Sequence, residues 1–296
     1  MTIWYKKYPG YCGQILILIF FLALPGCTSI FFMPMEQEIQ TPARLNLSYQ
    51  DVYFHTSDGL VLHGWFLPAE GESQGTVLFL HGNAENISTH LMSVYWLPQQ
   101  HFNVFLFDYR GYGQSEGTPS IGGLITDSES ALHYVINRPD INSDKLIVWG
   151  QSLGASIAVY TVAHSPERKR IKALIVDSAF TAYRKIAQEK LADIWLTWPL
   201  QWPLSWLFYA DYTPIKAIKR ISPVPVLIIH GEKDEIVPFS HGIRLYEAAG
   251  QPKQIWLLPN AKHIQDTLDQ GFRLRLVAYM QQSLVLRTYG DSDSDW

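Results

Sequence analysis

The chain has 296 residues, of which 47% are hydrophobic, and its formal net charge is −4. This composition supports a sizeable core, and an acidic balance without a run of basic residues argues against a nucleic-acid partner. The sequence contains no C-x-x-C or H-E-x-x-H spacing and no phosphate-binding glycine loop with lysine. We therefore expect neither a metal ion nor another cofactor.

The N-terminus is typical of a secretory signal. Two lysines precede ten consecutive apolar residues, 15–24, which are too few to cross a bilayer as a helix. The Leu-Pro-Gly-Cys sequence ending at Cys27 resembles the bacterial lipobox, in which the cysteine is lipidated. We predict a lipoprotein signal peptide over residues 1–26, a lipid on Cys27 and a membrane-associated place in the bacterial cell envelope, facing the periplasm or the exterior. An uncleaved anchor that continues through residues 30–32 is the alternative.

The rest of the chain divides into a tether, one main domain and a tail. The predicted tether covers residues 27–48, because residues 33–48 are polar and interrupted by proline. Alternating apolar positions on both sides of Asp58-Gly59 predict an antiparallel hairpin at the start of a domain over residues 49–285. Residues 286–296 are acidic and are expected to fray.

Continuous apolar runs predict strands that are covered on both faces. These runs are residues 76–80, 104–107, 146–149, 173–176, 224–229 and 255–258. Helical periods separate them, for example over residues 124–135 and 268–283. Strands that alternate with helices predict an α/β fold with a mostly parallel, doubly wound sheet, whose ligands bind beyond the carboxyl ends of the strands.

Residues 181–222 interrupt this alternation, because they contain no buried strand. Four tryptophans fall within twelve residues there and are punctuated by prolines: Trp195, Trp198, Trp202 and Trp206. The pattern predicts an inserted helical cap. Its aromatic side chains either pack the insertion onto the sheet, form an apolar wall for an acyl group or reach a membrane interface.

A predicted strand ends directly at Gly150-Gln-Ser152-Leu-Gly154, and a helical segment follows. This is a G-x-S-x-G sequence in the strand–turn–helix context that exposes a nucleophilic serine above a sheet. The two glycines permit a tight turn and close packing. We expect Ser152 to be the nucleophile; a serine that merely caps the helix is the alternative.

A serine hydroxyl needs a base within hydrogen-bonding reach, and the base needs a carboxylate to orient it. Asp234 follows the 224–229 strand and is the predicted acid, with Glu232 and Glu235 as alternatives. His263 follows the last strand and is the predicted base, with His241 as its competitor. The order serine, acid, histidine is that of the α/β hydrolases.

Acyl transfer also needs N–H donors for the oxyanion that forms in the transition state. One predicted donor is the backbone N–H of Leu153, immediately after the nucleophile. The second is the backbone N–H of Asn83, in the loop after the 76–80 strand, with Ala84 as the alternative. We expect His81 to brace this loop rather than to take part in the reaction.

Four motifs, each at the end of a predicted strand, resemble the α/β-hydrolase superfamily over residues 76–283. They are L-H-G-N-A-E-N at 80–86, D-Y-R-G-Y-G-Q-S-E-G at 108–117, G-Q-S-L-G at 150–154 and H-G-x-x-D at 230–234. Together they are similar to a serine-hydrolase group that includes small membrane-tethered esterases, protein depalmitoylases and prolyl-aminopeptidase-like enzymes. In such enzymes the 108–117 loop braces the site, so the resemblance implies a structural role for Arg110. Ala155 and Lys262 depart from the group's usual residues.

These observations predict a serine hydrolase that cleaves small-molecule carboxylic esters or thioesters through a Ser152 acyl-enzyme. A peptidase acting on short peptides is the alternative; it would need acidic side chains for the peptide amine, and the cap carries mainly Asp193 and Asp211. A non-enzymatic reading is a lipid-anchored scaffold that has the hydrolase fold but no activity. One fold hosts many reactions, so the fold does not choose the substrate.

Overall fold

The computed structural model describes residues 32–193, 201–206 and 211–285. The predicted signal peptide, the candidate lipidation site Cys27 and the acidic tail lie outside these residues. Among the residues that the structure describes, no helix is both long and apolar enough to span a membrane.

The strands within the described ranges are β1 (Met33–Pro34), β2 (Gln50–His55), β3 (Val61–Leu67), β4 (Gly75–Leu80), β5 (Ala84–Glu85), β6 (Phe102–Phe107), β7 (Leu146–Gln151), β8 (Ile171–Asp177), β9 (Val226–Gly231) and β10 (Lys253–Leu258). The α-helices there are α1 (Ile87–His90), α2 (Ile121–Ile136), α3 (Leu153–His164), α4 (Tyr183–Asp193), α5 (Gln201–Ser205), α6 (Pro214–Ala217), α7 (Ser240–Ala248) and α8 (Gln270–Val285). Short 3₁₀ helices occur at Pro42–Leu45, Leu91–Ser93, Pro98–Gln100, Pro166–Arg170, Ile218–Arg220 and Asp266–Leu268.

Eight strands form one sheet in the order β10-β9-β8-β7-β4-β6-β3-β2. The strands from β10 to β6 are parallel, whereas β3 runs antiparallel to both β6 and β2. This confirms the predicted mostly parallel sheet with an N-terminal hairpin. The apolar runs predicted the six parallel strands. Four of them, β4, β6, β7 and β10, are longer by one or two residues at one end, β8 is longer at both ends, and β9 begins and ends two residues later than predicted.

The core consists of two layers, one on each face of the sheet, because neighbouring residues of a strand point to opposite faces. Leu78 of β4 packs on the face covered by α2 and α3, and the next residue, Phe79, packs on the face covered by α8. Trp149 of β7 lies in the second layer. Every residue of β4, β6 and β7 is buried, which explains why these strands are continuous apolar runs. Each large side chain buried in this way contributes about 1.5–3 kcal/mol.

The segment before the hairpin differs from the predicted tether. Its described part, residues 32–48, packs against the domain: Phe32 is buried in the core, and β1 pairs in parallel with β5. Two-residue strands leave no apolar period in a sequence, so composition alone indicated a tether. The segment matters for the site, because β5 lies in the loop that follows β4.

The described part of the 181–222 insertion consists of α4, α5, α6 and a 3₁₀ turn, with no strand among those residues. It connects β8 to β9 on the carboxyl side of the sheet. Trp202 and Trp206 of this insertion expose 64% and 71% of their surface, respectively. These two side chains therefore do not pack the insertion onto the sheet.

Candidate active site

The turn between β7 and α3 holds Ser152 in a conformation that a non-glycine residue rarely adopts, with φ 54° and ψ −114°. Such strain costs about 1–3 kcal/mol and is typical of functional sites. A Cβ on Gly150 would lie 2.4 Å from the oxygen of Gly154, and one on Gly154 would lie 2.2 Å from the oxygen of Leu80, so both positions require glycine. The hydroxyl of Ser152 does not cap α3. The capping alternative is therefore wrong.

The structure brings Ser152, His263 and Asp234 together at the carboxyl ends of β7, β10 and β9. His263 Nε2 lies 2.9 Å from Ser152 Oγ, and His263 Nδ1 lies 2.7 Å from Asp234 Oδ2. A carboxylate can only accept, so Nδ1 carries the hydrogen and donates it to Asp234. The unprotonated Nε2 then faces the serine hydroxyl and is placed to accept its proton.

Asp234 is surrounded by donors. Its Oδ1 accepts the backbone N–H groups of Ile236 and Val237, both at 2.8 Å, and its Oδ2 also lies 3.4 Å from His230 Nε2. Burial acts to raise the pKa of Asp234, but the side chains of His230 and His263 and the N–H of Val237 outweigh it and hold that pKa well below its ordinary value. Asp234 is therefore an ionised carboxylate at neutral pH.

The alternatives for acid and base have other surroundings. The side chains of Glu232 and Glu235 are exposed, and His263 contacts Asp234 instead. His241 Nδ1 accepts the backbone N–H of Thr181 at 3.0 Å, and its Nε2 donates to Glu189 at 2.7 Å. His241 thus joins α7 to the base of the cap insertion and not to the serine.

The two predicted oxyanion donors belong to segments that border the nucleophile. Leu153 is the first residue of α3, where backbone N–H groups have no partner within the helix. The loop after β4 passes close by, because a Cβ on Gly82 would lie 3.7 Å from Ser152 Cβ. Asn83 is the next residue, and both its carbonyl and its Oδ1 accept a hydrogen bond from the hydroxyl of Tyr112.

The N-terminal segment holds this loop, which the sequence did not predict. Asn86 Nδ2 donates to the carbonyl oxygens of Met35 and Gln37, both at 2.9 Å, and its Oδ1 caps α1 by accepting the N–H of Ser88. The N–H of Ile39 donates to Ser88 Oγ at 2.9 Å. Asn86 is fully buried. No sequence signal marks this contact, because Asn86 donates to backbone carbonyl oxygens.

A second aspartate–histidine pair lies behind the same loop. His81 Nδ1 donates to the carbonyl of Gly82 at 2.8 Å, so its unprotonated Nε2 faces Asp108 Oδ1 at 3.6 Å. Burial raises the pKa of Asp108 to about 8, partly offset by the N–H of Ile87, which donates to Oδ1 at 2.8 Å. Burial also lowers the pKa of His81 well below its ordinary value. The pair is therefore neutral at pH 7, in agreement with a bracing role for His81.

Two further buried carboxyl groups lie close to the triad and were not predicted. Asp177 ends β8, accepts a hydrogen bond from Gln151 Nε2 at 2.8 Å, and its carbonyl accepts the N–H of Ser152. Asp266 follows His263 by three residues. Burial, reinforced by repulsion from Asp234, raises the pKa of both groups, that of Asp266 to about 6, and repulsion from Asp266 raises the pKa of Asp177 further.

Arg110 contacts carboxylates outside the triad. Its guanidinium pairs with Asp58 at 2.9 Å and with the buried Asp127 at 2.8 Å. These contacts join the 108–117 loop to α2 and to the turn of the hairpin, which is a structural role. Among the described residues no group of three or more His, Cys, Asp and Glu side chains is arranged to hold a metal ion.

Comparisons with known proteins bear on the family and the fold. A family model described as serine aminopeptidase, S33 (Hydrolase_4) matches residues 71–220. The chain is 34% identical to YfhR of Escherichia coli K12 over 283 residues, which cover 92% of this chain and 95% of that protein. It is 35% identical to the α/β hydrolase domain-containing protein WAV2 of Arabidopsis thaliana over 265 residues, covering 86% and 82%.

Among solved structures, an esterase of Pyrococcus furiosus, Pf2001, superposes with a TM-score of 0.67 at 24% identity and covers 86% of this chain and 96% of that chain. Acetyl xylan esterase 1 of Thermoanaerobacterium superposes with a TM-score of 0.62 at 19% identity, covering 84% and 86%. These likenesses establish the fold, and the family match confirms the resemblance predicted from the four motifs. The chain belongs to the serine aminopeptidase S33 (Hydrolase_4) family of α/β hydrolases.

Proposed function

We propose that this protein is a serine hydrolase that cleaves carboxylic ester or thioester bonds through an acyl-enzyme on Ser152. The observation that carries the proposal is the continuous contact from Asp234 through His263 to Ser152, at 2.7 and 2.9 Å. A scaffold without activity does not require a strained serine that is aligned with an oriented base. The geometry supports catalysis over that alternative.

The reaction follows from these contacts. Ser152 Oγ attacks the carbonyl carbon of the substrate while His263 Nε2 takes the hydroxyl proton, and ionised Asp234 stabilises the resulting imidazolium. The oxyanion accepts the N–H groups of Leu153 and Asn83, and loss of one such donor typically costs about 3 kcal/mol. His263 then gives its proton to the departing alkoxide or thiolate. Water, deprotonated by His263, releases the acid from Ser152 by the same steps.

The surroundings of the site favour an ester or thioester over a peptide amine. An aminopeptidase needs an unpaired carboxylate to hold the substrate's ammonium group. Glu189 of α4 does not offer such a carboxylate, because it already pairs with Lys185 at 3.1 Å and with His241 at 2.7 Å. The family description as serine aminopeptidase favours the peptidase as second candidate.

A fluorophosphonate probe tests the acyl-enzyme. We expect the folded protein to be labelled, Ser152→Ala to lose the label, and Ser165→Ala to keep it. Ser165 is a suitable control because it caps the opposite end of the same helix α3. Equal labelling of wild type and Ser152→Ala would contradict the proposal, provided that circular dichroism shows both proteins to be folded.

A substrate panel separates the two candidate activities. We expect turnover of p-nitrophenyl esters and acyl thioesters, and none of aminoacyl or prolyl p-nitroanilides. A series of esters of increasing chain length then reports the acyl preference. Turnover of the anilides with no turnover of esters would establish the peptidase instead.

We also propose that the protein is held at the membrane of a bacterial cell envelope through Cys27 or, if the leader is retained, through an apolar segment that begins at residue 15 and ends before Phe32, which is buried in the core. The support is the leader's sequence: a charged start, ten apolar residues and a lipobox-like end. In a Gram-negative host, wild-type protein should incorporate labelled palmitate and Cys27→Ser should not, with Cys12→Ser as the control. Recovery of both proteins in the soluble fraction would contradict membrane attachment.

A further inference from the structure

The N-terminal segment enters the domain beside the candidate active site. Phe32 is buried in the core, and the next two residues form β1, which pairs with β5 in the loop that carries Asn83. Phe32 lies eight positions after Leu24, the last apolar residue of the leader. A chain of that length spans at most about 28 Å, and the five residues from Cys27 span at most about 18 Å.

These lengths are short compared with the domain. A compact domain with the length of residues 49–285 has a radius of gyration of about 18 Å, which corresponds to a diameter of about 45 Å. An anchor at the leader therefore keeps the site-bearing edge of the sheet, where Phe32 lies, closer to the membrane than the opposite edge.

Exposed apolar side chains occur on this edge on one side of the triad. Met33 and Leu268 expose 60% and 71% of their surface, and Met92 is also exposed. We call these three residues the leader-side patch. Met92 and Leu268 line one groove of about 240 Å³ together with Glu85 of β5 and Ile264, the residue after His263. Met33 joins them because it pairs with Ala84, next to Glu85.

A second set of exposed apolar side chains lies on the other side of the triad. Ile236, two residues after Asp234, is exposed, and so are Trp202 of α5 and Trp206, the residue that follows α5. We call these three residues the cap-side patch. Lys190 at the end of α4 donates to the carbonyl of Glu235, which holds α4 to the Asp234 loop, and Arg184 of α4 lies 5.7 Å from the ring of Trp206. Tryptophan with a neighbouring arginine is typical of a membrane interface.

We propose that this edge of the domain lies against the bilayer surface, with the leader-side and cap-side patches in the interfacial region, and that the acyl substrate reaches Ser152 from the membrane. The proposal rests on the function proposed above. A bilayer suits both observations: the anchoring sequence emerges at this edge, and apolar side chains border the triad on both sides. The formal charge of −4 makes apolar contact, rather than attraction to anionic lipid, the expected source of binding.

The test uses the full chain in phosphatidylcholine vesicles and compares two substrates. One is a long-chain ester carried in the vesicles, and the other is dissolved p-nitrophenyl acetate. For Met92→Ser/Leu268→Ser we expect turnover of the vesicle ester to fall at least about tenfold, because interfacial binding scales with the apolar area buried. Turnover of the dissolved ester should stay within about twofold, as is usual for surface substitutions.

Val285→Ser is the matched control and should change neither rate. Val285 is an exposed apolar residue at the end of α8, and the preceding Leu284 lies against Gly75 at the start of β4, so it marks the opposite edge of the sheet. Equal loss on both substrates would overturn the docking while leaving the hydrolase intact as a proposal. The docking would also be overturned if Met92→Ser/Leu268→Ser lost no turnover, or if Val285→Ser showed the same loss. Failure of wild type to hydrolyse the dissolved ester would instead count against the proposed function.

A second measurement addresses the cap-side patch. Brominated phosphatidylcholine quenches tryptophan that sits in the interface, so it should quench the full-length wild type. Trp202→Phe/Trp206→Phe should lose a large part of that quenching and keep the activity on dissolved ester. Unchanged quenching in this variant would place both tryptophans away from the lipid and overturn the proposal.

Discussion

Two aspartate–histidine pairs border the nucleophile, and they differ in charge although they contain the same residue types. In the first, His263 directs its Nδ1–H at Asp234 over 2.7 Å. In the second, His81 donates its Nδ1–H to the carbonyl of Gly82, so that its unprotonated Nε2 faces Asp108 at 3.6 Å. The pKa of Asp234 lies well below its ordinary value, whereas burial raises that of Asp108 to about 8.

The number of donors explains the difference. Among the residues that the structure describes, Asp234 receives two backbone N–H groups and the His263 ring and lies beside His230, while the fully buried Asp108 receives one N–H, from Ile87. A carboxylate is stable in a protein interior only when several donors replace its water. The first pair is therefore equipped to stabilise the imidazolium that forms during acyl transfer. The second pair is neutral and fixes the loop that carries Asn83.

The largest expected effect concerns the charged pair. In Asp234→Asn, the amide can direct N–H groups at His263 Nδ1 and so favours the tautomer that cannot accept the serine proton. We expect kcat to fall by about 10⁴, as for the equivalent change in other triads, with KM little altered. Steady-state kinetics on a p-nitrophenyl ester measure it, with Glu235→Gln as the control. A loss in Asp234→Asn no larger than that of the control would mean that Asp234 does not orient the base.

Substitution in the neutral pair should change the stability of the protein rather than its activity. Asp108 keeps its proton up to about pH 8, whereas an unfolded aspartate releases it near pH 4, so its stabilising contribution is full below about pH 4 and is lost as the pH rises to about 8. The side chain of Asn in Asp108→Asn is neutral at every pH, so this variant does not lose stability as the pH rises. Relative to wild type, its free energy of unfolding should rise by up to about 5 kcal/mol across that range. At pH 7 its kcat should stay within about tenfold of wild type.

Urea unfolding at a series of pH values measures this difference. Asp58→Asn is an informative control, because the hydrogen bond from Arg110 lowers the pKa of Asp58. Asp58 stabilises the fold above the unfolded pKa and loses that contribution as the pH falls, so its variant should show the reverse trend. A pH-independent difference between wild type and Asp108→Asn would show that Asp108 is ionised in the folded protein.

The three residues of the candidate triad could be predicted because the information for each is local. Ser152, Asp234 and His263 all follow an apolar run that specifies a buried strand, and parallel strands bring their carboxyl ends to one edge. The charge of Asp108 could not be predicted, since it depends on burial by residues distant in sequence. The contact of Asn86 with residues 35 and 37 was also hidden, because it is made to backbone carbonyl oxygens, which any residue supplies.

Asn86 offers a test of the loop that the neutral pair fixes. Asn86→Ala removes both hydrogen bonds to the N-terminal segment and the cap of α1. Because the loop would then no longer hold Asn83 in register, we expect kcat to fall by about 10²-fold, comparable to the loss of one oxyanion donor, with little change in KM. Asn142→Ala is the matched control, as Asn142 accepts a backbone N–H in an exposed turn. Parallel losses in kcat and in folded fraction would show a purely structural role.

The smallest expected effect concerns Asp266, a carboxyl group that lies near the charged pair but resembles Asp108 in its surroundings. It is 4% exposed, both its side-chain oxygens are without a hydrogen-bond donor among the described residues, and burial raises its pKa to about 6. Its stabilising contribution is therefore full below about pH 4 and is lost as the pH rises to about 6. The free energy of unfolding of Asp266→Asn, measured in urea, should gain about 2 kcal/mol on wild type across that interval and then stay level. A gain that continued well above pH 6 would assign the titration to the neighbouring Asp177, whose pKa burial also raises, and no gain would mean that donors reach Asp266 as they reach Asp234. In either outcome the hydrogen-bond donors, and not proximity to the triad, would decide the charge of a buried carboxyl group, as the two aspartate–histidine pairs indicate.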